Sequence, residues 1–193
     1  MSLFDKLNKQ ATAAGITRNT RDSLNWFKER IGAITKVNRK GIMADESLIK
    51  SQTPLIGRMY MYFYDPKYKN TLPYYDRFPL IILVDFAPGG FYGLNLHYLD
   101  PRLRAKFFDK LMSYTNNNKY DKTTKLRMSY KLLQGVSKLE AFKPCFKHYL
   151  TQHVKTRMIQ VPANEWEIAL FLPTEHFKGK SKNFVWLQSK KQI

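Results

Sequence analysis

Cysteine is nearly absent. Cys145 stands alone among 193 residues, so no disulfide forms within the chain, and a stapled secreted scaffold is excluded. Long apolar runs are also missing: the stretch around residues 79–84 is only about six or seven residues long, far short of the roughly 20 that cross a bilayer as a helix. The opening Met1-Ser2-Leu3-Phe4-Asp5-Lys6 lacks the apolar stretch of a signal peptide. A soluble protein of a reducing compartment, with no membrane partner, is the expectation. Acidic residues are scarce as well. Asp plus Glu number 15 against 33 Lys plus Arg, a formal net charge of +18. No fold needs such an excess; it speaks of partners, and nucleic acid is the polyanion that best matches it.

Apolar residues at 44% and aromatics at 15% supply a packed core, which excludes a disordered polyelectrolyte. The length fits one domain with an appended arm. We expect residues 1–18 as a flexible N-terminal arm and 19–193 as one α+β domain. The charge is unevenly placed. Residues 58–100 carry four basic and four acidic side chains, whereas residues 101–160 carry fourteen basic against only Asp109, Asp121 and Glu140. Solvated helix faces are charged but mixed in sign. Fourteen to three is not mixed, and it marks 101–157 as a basic helical region.

Residues 19–34 read as an amphipathic helix with Leu24, Phe27, Ile31 and Ile34 spaced by three and four. Residues 10–17 are small and polar, and 36–52 read as a linker. Residues 58–64 are strand-like and aromatic, 80–86 are apolar on both faces, and 91–99 alternate. Ala87-Pro88-Gly89-Gly90 between the last two fits a type II turn. These make an antiparallel meander. The expected fold is therefore α+β: a small antiparallel sheet or SH3-like barrel packed with several amphipathic helices. Asp100-Pro101 caps and starts a helix, with Leu103, Phe107 and Leu111 inward and Arg102, Lys106 and Lys110 in an outward row. A second helix is expected over 123–134, a short one over 146–152, a strand at 158–161, a helix at 162–172 and an edge strand at 183–187.

Catalytic signatures are absent: no phosphate-binding glycine loop, no H-E-x-x-H and no G-x-S-x-G. Cys145, His148 and His153 space loosely like metal ligands, but a closed zinc site needs four and no paired cysteine lies nearby. No metal or other cofactor is expected. A nuclease needs converging carboxylates to hold magnesium. Glu165 and Glu167 point to opposite sides of a helix, and Asp85 sits on an apolar strand. Binding remains, through cations for phosphates and aromatics for bases. The candidate DNA-binding residues are Arg102, Arg104, Lys106, Lys110, Lys119, Lys122, Lys125, Arg127 and Lys131. Tyr74 and Tyr75 join them, because a proline-flanked loop presents aromatics. Tyr60, Tyr62, Phe63 and Tyr64, in a strand, read as core.

Four stretches carry a resemblance. They are Gly57-Arg58-Met59-Tyr60-Met61-Tyr62-Phe63-Tyr64-Asp65-Pro66-Lys67, Leu72-Pro73-Tyr74-Tyr75-Asp76-Arg77-Phe78-Pro79-Leu80, Gly90-Phe91-Tyr92-Gly93-Leu94-Asn95-Leu96-His97-Tyr98-Leu99 and Asn164-Glu165-Trp166-Glu167-Ile168-Ala169-Leu170-Phe171-Leu172-Pro173. Over residues 18–189 the chain resembles the DNA end protector, or head-completion, proteins of T4-like tailed phages. The resemblance implies a non-enzymatic virion protein that binds the ends of linear double-stranded DNA. It would shield them from host exonuclease in the cytoplasm and help complete the filled head beside other head, neck and portal proteins. It assigns no catalytic residues. A neck or connector component contacting portal and tail proteins is the rival reading, and a metal-dependent nuclease the third.

Overall fold

The computed structural model describes residues 2–46, 48–50, 53–115 and 143–192, with the backbone alone for 110–115. The helix expected over 123–134 lies outside the described residues. A six-stranded antiparallel sheet forms the centre. Its strands are β1 (Ile49–Lys50), β2 (Met59–Met61), β4 (Leu80–Ala87), β5 (Gly90–Asn95), β6 (Phe146–Leu150) and β7 (Ile159–Val161), in the order β1-β7-β2-β4-β5-β6. A two-stranded sheet pairs β3 (Tyr75–Asp76) with β8 (Phe177–Lys178). The fold is α+β, as expected, but among the described residues the large sheet is open, with β1 and β6 as edges, so the barrel alternative is corrected.

Side-chain alternation explains why β4 is apolar on both faces. Met59, Met61, Leu80, Ile82 and Leu94 point into the larger core, together with Phe4, Leu7, Phe27, Ile31, Ile168 and Leu170 from the helices. Tyr60, Tyr62, Ile81, Leu83, Phe91 and Tyr149 form a second, aromatic cluster. The strand aromatics are core, as their alternation indicates. The β4–β5 hairpin turns at Pro88-Gly89, where Gly89 has φ of 72°, the positive value that the third position of a type II turn requires.

The helices among the described residues follow their caps. Helix α1 (Leu3–Ala13) begins at Ser2, whose hydroxyl accepts from Asp5 N while Asp5 accepts from Ser2 N. Phe4, Leu7 and Ala11 bury one face. Residues 3–13 are thus a docked helix where a free arm was expected, because the apolar stripe starts upstream of the polar stretch. Helix α2 (Arg21–Gly32) starts at the reciprocal cap of Thr20 and Ser23 and buries Leu24, Phe27 and Ile31. The stretch read as a linker contains helix α3 (Arg39–Met43), capped by Asn38, and strand β1.

Helix α4 (Pro101–Thr115) starts where Asp100 Oδ1 accepts from Arg102 N at 2.8 Å and Leu103 N at 3.0 Å. Helix α5 (Trp166–Phe171) is buried along its whole length. Two expectations change. Residues 146–150 are strand β6 rather than helix, because pairing with β5 lets Tyr149 stack on Phe91 at 5.6 Å and Phe146 on Tyr92 at 5.1 Å. Residues 183–187 lie in helix α6 (Lys182–Lys191) rather than an edge strand. Ser181 caps that helix, and Val185 and Ser189, four apart, are its buried face.

Candidate nucleic-acid interface

Two members of the row expected on α4, Arg102 and Lys106, are exposed, while Phe107 and Phe108 pack into the core. The side chain of Lys110 lies outside the described residues, as do Lys119, Lys122, Lys125, Arg127 and Lys131. Arg104 requires a correction. It is fully buried, donating to the carbonyls of Leu99 at 2.8 Å and Leu170 at 3.0 Å and to Glu175 at 2.5 Å. Its guanidinium also faces the Trp186 ring at 5.7 Å. Arg104 shares the inner face with Phe107 and Phe108, three and four residues on, so it cannot be a surface phosphate ligand in this fold.

Further cations gather at the turn between β8 and α6. Lys178 is the β-sheet partner of Tyr75. Gly179 then turns the chain with φ of 88°, and a Cβ there would lie 2.4 Å from the Pro73 carbonyl oxygen. That close approach locks the β8–α6 turn to the Pro73-Tyr74 loop. Lys180 and Lys182 ride over the rings of Phe184 and Trp186 at 5.2 and 5.3 Å. Lys190, at the other end of α6, reaches Asp100 at 2.8 Å, beside the start of α4.

Tyr74 and Tyr75 are half-buried, in the wall of a groove of about 650 Å³ between the 66–75 loop and the edge strand β6. Tyr64, Tyr98 and Tyr149 supply its buried floor, and Tyr68 its exposed rim. Lys67 and Lys147 also line it. Lys147 Nζ sits 4.3 Å above the Tyr98 ring, and burial lowers the pKa of its ammonium. Burial likewise raises the Tyr74 and Tyr64 phenols, so both stay neutral donors in neutral solution. Of these residues only Tyr74 and Tyr75 stood out in the sequence. Lys147 and Tyr149 lie two apart on the edge strand β6 and so share a face, a relation that the helix expected over 146–152 concealed.

Asp76, which also lines the groove, anchors a buried polar cluster. Asp76 takes His97 Nδ1 at 2.6 Å, Phe78 N at 3.0 Å, His176 N at 3.1 Å and Asn95 Nδ2 at 3.2 Å. His97 Nε2 meets Thr174 Oγ1 at 2.9 Å. An Asp–His–hydroxyl series has the connectivity of a nucleophile relay, yet His97 and Thr174 are both fully buried, so the hydroxyl has no access to substrate. Glu165 and Glu167 are buried too. Glu165 accepts from Asn8 at 2.7 Å, whereas Glu167 accepts from Arg18 at 2.8 Å and from Ser23. These acids fasten α1 and α2 to α5. Cys145 is a core residue, its thiol pushed up to about 12 by burial. Among the described residues no group of three His, Cys, Asp or Glu is placed to hold a metal ion, and no helix is long and apolar enough to cross a membrane.

The fold and its surface define an α+β protein with exposed cations beside an aromatic groove. The family model described as Phage T4 terminal DNA protecting protein matches residues 2–192, and the chain belongs to that family. No curated protein and no solved structure matches it.

Proposed function

We propose that this is a non-enzymatic virion protein that binds the ends of linear phage DNA and protects them, and that it helps complete the filled head. The observation that carries the reading is the family match across nearly the whole chain. The +18 charge and the exposed Arg102 and Lys106 support it, since phosphate neutralisation with counterion release dominates DNA affinity. In this reading Lys110, Lys119, Lys122, Lys125, Arg127 and Lys131 extend the row, and Arg104 serves the fold instead. Its place is the virion, with the host cytoplasm before packaging and after injection, next to head, neck and portal proteins.

The test is protection of linear duplex from an exonuclease, with capped and circular duplexes as binding references. Slower digestion and tighter binding of open ends are expected, with affinity falling steeply as salt rises. End-indifferent binding together with a ring formed on the portal would reassign the chain to the connector. DNA degradation on adding magnesium would reassign it to the nucleases.

A further inference from the structure

Phosphates are alike along a duplex, so a protein that prefers ends must read something that only an end offers. A terminus exposes one face of its last base pair, and that pair opens more readily than an internal one. The chemistry for an opened base is a flat aromatic surface with a cation nearby. We infer that the groove between the 66–75 loop and β6 takes one unpaired terminal nucleotide. The base stacks on the tyrosines, and Lys147 and Lys67 face its phosphate.

Three observations carry this. The volume, about 650 Å³, lies within the range of small-ligand sites. Tyr68 is 60% exposed and Leu72 is 42% exposed, an apolar rim that packing leaves uncovered, with Lys67 Nζ 5.2 Å from the Tyr68 ring. Lys147 is half-buried over Tyr98 and has no carboxylate within ion-pair distance among the described residues. An ammonium held that way is attracted to an incoming anion more strongly than one in open water. The groove also lies against β8 and its turn into α6 through the pairing of Tyr75 with Lys178, so a strand leaving it meets further cations.

This inference rests on the end-binding reading and deepens it. The probe is linear duplex carrying 2-aminopurine at its terminal position or at an internal one, bound by the full chain. Stacking in the groove quenches the terminal probe and leaves the internal probe unchanged. A terminal mismatch tightens binding, because the base is already unpaired. In Tyr68→Ala and in Lys147→Met the terminal quench is lost, and the ratio of linear to circular affinity falls about tenfold, the size of one base–aromatic stack. Tyr68 is exposed, so Tyr68→Ala keeps the native melting transition and reports on binding alone. If both variants keep the quench and the ratio, the groove assignment is overturned and the end-binding reading stands. If the native chain shows no preference for linear over circular DNA, the end-binding reading fails, and the groove assignment with it.

Discussion

Arg104 reaches Glu175 at 2.5 Å with the two side chains 0% and 4% exposed. The pair joins α4 to the segment after α5, and the same guanidinium satisfies the Leu170 carbonyl at the end of α5. A charge so enclosed is held by its partners and has none left for DNA.

Glu175→Gln therefore leaves a buried guanidinium without its counter-charge, which costs about 3–5 kcal/mol in the unfolding free energy. Arg102→Gln, on the exposed side of the same helix, costs within about 0.5 kcal/mol. Urea denaturation of the two variants checks the contrast. Equal losses would mean that Arg104 is not the structural cation of α4.

The enclosed Asp76 makes a prediction in acid. Burial pushes its carboxyl up, but the His97 ring and the hydrogen bonds from Phe78 and Asn95 outweigh that and hold it below the ordinary range. Burial also raises Glu175, and the Arg104 and His97 charges outweigh it. A carboxyl lowered in the folded state binds protons more weakly there than in the unfolded chain, so the stability it adds is present above about pH 4 and lost as pH falls through the lowered value. Urea midpoints should drop steeply below about pH 4. Asp76→Asn should start from a lower midpoint at neutral pH and fall less in acid. A variant as acid-sensitive as the native chain would remove Asp76 as a source of that dependence.

Much of this fold is written locally. Leu24, Phe27 and Ile31 with the Thr20 cap specify α2, Asp100-Pro101 specifies the start of α4, and Pro88-Gly89 specifies the β4–β5 turn, each through contacts within a few residues. Where tertiary partners decide, local reading fails. Phe146 and Tyr149 turn 146–150 into a strand because Tyr92, Phe91 and Tyr62 are already there to receive them. Phe184, Val185 and Trp186 are strand formers by propensity, but Trp186 donates to the His97 carbonyl at 2.8 Å from a helix. Arg104 was legible in part: a residue three and four before Phe107 and Phe108 lies on their face. Charge alone placed it among the candidate DNA-binding residues. The groove was hidden for a different reason, since its walls come from residues 64–76, 98 and 147–150, which no spacing rule connects.

The turn between β8 and α6 is testable by one methyl group. Gly179→Ala forces a left-handed backbone on an L side chain and drives its Cβ into the Pro73 carbonyl, so the loss should exceed the roughly 1–2 kcal/mol of the conformation alone. Gly15→Ala has a similar φ, 68°, with nothing within 4 Å, and should cost only that conformational amount. Paired thermal melts resolve the difference. Matching losses would mean that the β8–α6 turn does not press on the Pro73-Tyr74 loop.

Charge reversal on α4 separates cations that meet DNA from those that hold the fold. Each phosphate neutralised contributes about 0.9 to the slope of log affinity against log salt. Arg102 and Lys106 are exposed one helical turn apart, a spacing of about 6 Å along the axis, so both can contact neighbouring phosphates of one strand. Arg102→Glu with Lys106→Glu should lower the magnitude of that slope by about two and weaken linear and circular DNA alike, because phosphates do not distinguish an end from an interior. Tyr68→Ala should instead leave the slope in place while lowering the preference for ends, since stacking releases no counterions. Binding isotherms at four or five salt concentrations give both quantities for each variant. An unchanged slope in the doubly reversed chain would place the DNA on another face, and the row on α4 would then be solvated surface.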